Sequence, residues 1–174
     1  MEDAQMPTPK GMSNKIWYVI GAIVAVLLIG WLATRGMSYG AARMAGANVD
    51  QHMDGSTTYS NGEGSVTVGG GSMPDNWPSD APANYAGASI QYSGNSNPQT
   101  GKSGAAVVYT ARGSSTDVLN YYKSELASKG WKIEGTFNAN GTTALSARKD
   151  TRVMAVYIVP GAEGMVAVTA GIEL

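Results

Sequence analysis

The chain of 174 residues contains no cysteine. That excludes disulfides, thiolate nucleophiles and cysteine-held zinc or iron–sulfur centres. Charge is scarce as well: charged side chains make up 14% of the chain, and twelve basic against thirteen acidic residues leave a formal net charge of −1. Beyond Arg43 the balance is eight basic against eleven acidic, with no long basic run. A phosphate-binding surface is therefore not expected. Trp77, Trp131 and Phe137 are not interleaved with arginines as a base-stacking platform requires, so no nucleic acid partner is expected. No HExxH, Walker, dinucleotide-binding or nucleophile-elbow motif occurs. Gly101-Lys102-Ser103-Gly104 echoes the end of a phosphate loop, but residues 95–100 lack the preceding glycine and the tetrapeptide leads into a strand. His52, the single histidine, stands between Asp50 and Asp54 in a glycine-bearing stretch that cannot fix three metal ligands. It reads as a solvated residue, and no metal or cofactor is expected.

Against this sparse background stands one apolar run, Ile16 to Ala33, eighteen residues without a charged side chain. As a helix it would span roughly 27 Å, close to the hydrocarbon thickness of a bilayer. Trp17 and Tyr18 lie at one end and Trp31 at the other, where aromatic rings favour the headgroup level. The run is expected to be a transmembrane helix, a signal-anchor whose partner is the lipid bilayer. Lys10 and Lys15 before it balance Arg35 and Arg43 after it. Orientation then rests on a short leader and a long polar portion, which place the C-terminal domain outside the cytoplasmic membrane. Cleavage as a signal peptide is disfavoured, because the nearest small-residue site, Ala45-Gly46-Ala47, is distant. Lys10-Gly11-Met12 resembles the leader end of type IV pilin-like proteins, which usually carry a glutamate where this chain has Ile16.

The chain divides into a leader (1–15), the apolar helix (16–34), a flexible juxtamembrane tether (35–62), a short strand with a proline-rich extended segment (63–87) and a folded domain (88–174). Pro74, Pro78 and Pro82 exclude regular structure from their segment. In the domain, strands are expected at Ala88–Tyr92 and Gly104–Thr110. The spacing of Val118, Leu119, Tyr122 and Leu126 predicts a helix over Asp117–Lys129. Ser114 and Asp117 form a capping box, and Gly130 stands where a left-handed C-cap belongs, followed by Trp131. Period-two segments at Lys132–Phe137, Thr142–Arg148, Val153–Val159 and Met165–Ile172 predict four more strands. The expected fold class is α+β: a transmembrane helix, then a two-layer domain with a mainly antiparallel sheet and one packed helix.

The residues expected to matter structurally are Tyr122, Leu126, Gly130 and Trp131. Trp77 and Tyr85 of the proline segment most simply cap the sheet. Together with the exposed helix residue Tyr121 they are also the candidate interaction surface, since rigid aromatic side chains lose little entropy on binding. The Pro74/Pro78/Pro82 segment, the Tyr121-Tyr122…Leu126 helix and the Gly130-Trp131 step together resemble a group of small, uncharacterised bacterial proteins, exported or membrane-anchored. The resemblance covers roughly residues 73–172. It implies an envelope location and an α+β domain, and it carries no catalytic residues. The leading expectation is a membrane-tethered, non-enzymatic module that contacts an envelope protein or polymer. The alternatives are a pilin-like structural subunit, and a small envelope hydrolase or carbohydrate-binding protein using Asp75, Asp80 or Asp150.

Overall fold

Alternation of Val, Ala, Thr and Tyr with smaller or polar residues runs through most of the chain and lays it out as strands. The computed structural model describes residues 48–96, 103–139 and 141–174. Its elements are β1 (Asn48–Gln51), β2 (Thr57–Asn61), β3 (Gly64–Val68), β4 (Ser89–Ser96), β5 (Gly104–Arg112), α1 (Ser115–Ser128), β6 (Lys132–Ala139), β7 (Thr142–Lys149), β8 (Arg152–Pro160) and β9 (Met165–Glu173). The strands form one antiparallel sheet in the order β1-β2-β3-β4-β5-β9-β8-β7-β6. From β5 the chain crosses by α1 to the far edge. Three hairpins then return it to β9, beside β5.

Local chemistry fixes α1 at both ends. Ser114 Oγ accepts from the Asp117 amide at 3.1 Å, and the Asp117 carboxylate accepts from the Ser114 amide at 3.2 Å. At the other end Gly130, at φ +78°, lets its own amide donate to Ala127 O and the Trp131 amide donate to Leu126 O. This is the six-to-one and five-to-two pair of a Schellman turn. Val118, Tyr122 and Leu126 are the buried residues of α1. They share one core with Val107 and Tyr109 of β5, Val166, Val168, Ala170 and Ile172 of β9, Met154, Val156 and Ile158 of β8, and Leu145 of β7. Each large apolar side chain so buried contributes roughly 1.5–3 kcal/mol, which makes this core the main source of stability.

Two expectations about the fold are corrected. The first concerns the sheet, which is larger than a helix-backed layer: it has nine strands, and β1 and β2 come from residues assigned to a tether. Among the strands α1 packs on β6, β7 and β8, leaving the β1–β4 end without a helix over it. The reason is physical. Strands β1 and β2 are rich in Thr, Ser and Asn and are held by ladder hydrogen bonds and cross-strand pairs, so no apolar stripe marks them. The second correction concerns the membrane. Among the described residues no helix is long and apolar enough to cross a bilayer, so the transmembrane and signal-anchor expectations are not carried forward. The Ile16–Ala33 run, the leader and the pilin-like Lys10-Gly11-Met12 step lie outside the described residues.

Candidate functional site

Across the inner face of the sheet the side chains change character at β4. Residues opposite one another in an antiparallel pair point to the same face. Val107, in the core, stands opposite Ser93 of β4, which stands opposite Thr67 of β3, which stands opposite Thr58 of β2. The next inward row runs Ala105, Asn95, Ser65, Ser60. An apolar floor under α1 thus becomes a floor of hydroxyl and amide groups where the helix no longer covers it.

Over that floor lies a cleft of about 280 Å3. Its second wall is the start of the proline segment, from Gly70 through Ser72, Met73 and Pro74 to Asp75. The β1–β2 loop supplies His52, Asp54 and Ser56 at one end. The floor is internally connected. His52 Nε2 lies 2.9 Å from Thr58 Oγ1, which lies 2.9 Å from Thr67 Oγ1. Asn95 Nδ2 donates to Ser65 Oγ at 3.0 Å. Asp54 Oδ1 accepts from both the amide and the hydroxyl of Ser56, and these bonds, the hydroxyl's first, hold its carboxyl below the usual carboxylate value. Gly70 lies close against the floor: a Cβ there would come within 2.8 Å of Thr67 Cγ2, so the threonine side chain would have to shift.

The cleft can hold a ligand through several directed hydrogen bonds. Among the described residues it is lined by no lysine or arginine. Among the described residues no group of three or more His, Asp or Glu is arranged to hold a metal ion.

The residues singled out in the sequence lie elsewhere, along the strap that residues 73–87 draw over the inner face. Trp77 and Tyr85 are half-buried and packed against the main core. Trp77 Nε1 donates to Pro82 O at 2.9 Å. Tyr85 and Tyr121 meet edge to face at 5.3 Å, as do Tyr121 and Tyr122. The Tyr121 hydroxyl lies 3.3 Å from both Ala83 O and Asn84 O, which share its one hydrogen. Beneath them the Tyr85 amide donates to Tyr109 Oη, which lies 2.9 Å from Tyr122 Oη. Burial raises both buried phenols, Tyr122 most, so they remain protonated donors. Trp131 Nε1 donates to Asp80 O at 2.6 Å. The structure therefore gathers Tyr85, Tyr121 and Tyr122 into one tyrosine cluster, with Trp131 fastened to the middle of the strap and Leu126 in the core.

The three aspartates are dispersed in role. Asp75 lines the cleft, Asp80 is bound to Arg152 and Lys149, and Asp150 sits in the β7–β8 turn. Sequence reasoning missed Thr58, Ser65, Thr67 and Asn95, which lie on the cleft floor. The signal available was the recurrence of hydroxyls at every second position, Thr58 and Ser60 then Ser65 and Thr67, on one face of a hairpin.

A START domain-like family matches residues 90–165. The match runs from β4 to the start of β9 and takes in α1, which is less than half of the chain. It leaves β1–β3, and with them much of the cleft, outside. Neither a curated protein nor a solved structure matches the chain.

Proposed function

We propose that the described domain is a non-enzymatic binding module whose ligand occupies the cleft between the β2–β4 floor and residues 70–75. The observation that carries this reading is the change of the inner face from apolar to hydroxyl-bearing beneath an open cleft of about 280 Å3. That size lies at the small end of the roughly 300–1,000 Å3 of small-molecule sites. The START domain-like match over residues 90–165 supports a ligand-binding role for the frame to which β1–β3 are added. An envelope polymer or protein as the natural source of the ligand rests on the resemblance of the Tyr121-Tyr122…Leu126…Gly130-Trp131 region to exported bacterial proteins.

The test is to titrate the isotope-labelled full chain with fractionated lipid, glycan and peptide extracts and follow its amide signals. Signals from Thr58, Thr67, Ser93 and Asn95 should shift with one fraction and return on washing. Shifts confined to the Tyr85–Tyr121 surface would move the site to the strap, and none with any fraction would end the reading.

A further inference from the structure

The chemistry of the cleft specifies its ligand more closely than the binding reading does, and on that reading the following rests. We infer that the cleft takes a polyhydroxylated, non-anionic ligand of the size of a single sugar unit. Sign comes first. Among the described residues Asp54 and Asp75 line the cleft and no lysine or arginine does. A phosphate or carboxylate would enter against two negative charges with no lysine or arginine among the described residues to meet it, and His52 Nε2 is already engaged with Thr58 Oγ1. The cations Lys149 and Arg152 are committed to Asp80 at the far end of the strap, and Lys129 Nζ to Ser79 O.

Hydrogen-bonding capacity comes second. Each hydroxyl has one hydrogen to donate and two lone pairs. Thr58 Oγ1 lies between His52 Nε2 and Thr67 Oγ1, so its own bonds run within the floor. Thr67, the end of that chain, keeps a lone pair for a further partner. Ser65 Oγ accepts from Asn95 Nδ2 and keeps its own hydrogen, while Asn95 keeps its carbonyl oxygen. Acceptors at Thr67 and Asn95 therefore flank a donor at Ser65, with neighbours in a row about 4.8 Å apart. A ligand that both donates and accepts at neighbouring atoms matches that set, and vicinal hydroxyls do so. Met73 and Pro74 on the opposite wall offer the apolar contact that the C–H face of such a ring presents.

The test is saturation-transfer NMR and calorimetry on the full chain with glucose, glucosamine, glucuronate and inorganic phosphate. Glucose and glucosamine should bind, and glucuronate at least tenfold more weakly. Thr67→Val keeps the side-chain shape and removes the hydroxyl, and Ser65→Ala removes the other. Each should weaken glucose binding at least tenfold while the melting midpoint shows the domain still folded. Glucose binding untouched by either variant would take the sugar out of this cleft. Tighter binding of glucuronate or phosphate would overturn the ligand class and leave the binding reading standing. Failure of all four probes would overturn the inference, with the binding reading still decided by the amide signals in the fraction titration.

Discussion

Asp80 accepts from both terminal nitrogens of Arg152 and lies 2.8 Å from Lys149 Nζ, while its backbone carbonyl receives Trp131 Nε1. One residue thus ties the strap to the β7–β8 turn and to the end of α1. The Arg152 hydrogen bonds, then those of Lys149, hold its carboxyl far below the usual carboxylate range, against a smaller cost of burial. A group whose folded value is depressed stabilises fully above its unfolded value, about 3.9 for aspartate, and the contribution fades as pH falls toward the folded value. The melting midpoint should therefore drop as pH falls below about 4, and Asp80→Asn should remove part of that drop while lowering the midpoint at neutral pH. The cluster is partly solvated, so the effect should be about 1 kcal/mol. Thermal melts of both proteins at several pH values decide it. Trp131, 4% exposed, also has Arg152 stacked 5.2 Å from its ring centre. Trp131→Ala should cost about 3–5 kcal/mol. Trp131→Phe, which keeps most of the burial and loses the indole hydrogen bond, should cost about 1–2 kcal/mol. Equal losses in chemical denaturation would show that the hydrogen bond, and not the packing, is what matters there.

Among the elements, α1 was readable because its determinants are local. Ser114, Asp117 and Gly130 fall at fixed offsets from an apolar stripe, and each acts on backbone groups within a few residues. Ser114→Ala should cost about 1 kcal/mol. Gly130→Ala, at φ +78°, should cost about 1–2 kcal/mol, read from the shift in denaturation midpoint. A neutral Gly130→Ala would mean the helix end reforms without the left-handed residue. The strap is the opposite case. Three prolines announced that it had no regular structure, but its course was set by partners far along the chain: Tyr109, Tyr121, Lys149 and Arg152. For the same reason the sequence could propose Trp77, Tyr85 and Tyr121 as a surface without showing that their rings and hydroxyls are already engaged within the chain.

At the scale of the whole molecule the sheet has two unlike halves. Strands β5, β9 and β8 are central and share the core with α1, whereas β1, β2 and β3 have mostly exposed or half-buried residues. Local opening free energy follows buried apolar contact, so amides of β1–β3 should exchange with solvent at least tenfold faster than those of β5, β8 and β9. Native-state hydrogen exchange measures this directly, and uniform protection would mean that the sheet opens as one unit. A ligand in the cleft would slow exchange in β2 and β3 first, because its floor lies on the less stable half.

The sequence by itself determined the elements whose causes are short in range: α1 with its caps, the paired strands after it, the proline segment, and the exclusion of thiol and disulfide chemistry. Tertiary structure alone decided that residues 48–61 join the sheet, since a Thr- and Ser-rich strand is stabilised by its neighbour's backbone and carries no apolar signature of its own. It alone decided where the candidate site lies as well. Thr58, Thr67, Ser93 and Asp75 are scattered along the chain, and only antiparallel register and the path of the strap bring their polar groups around one cleft.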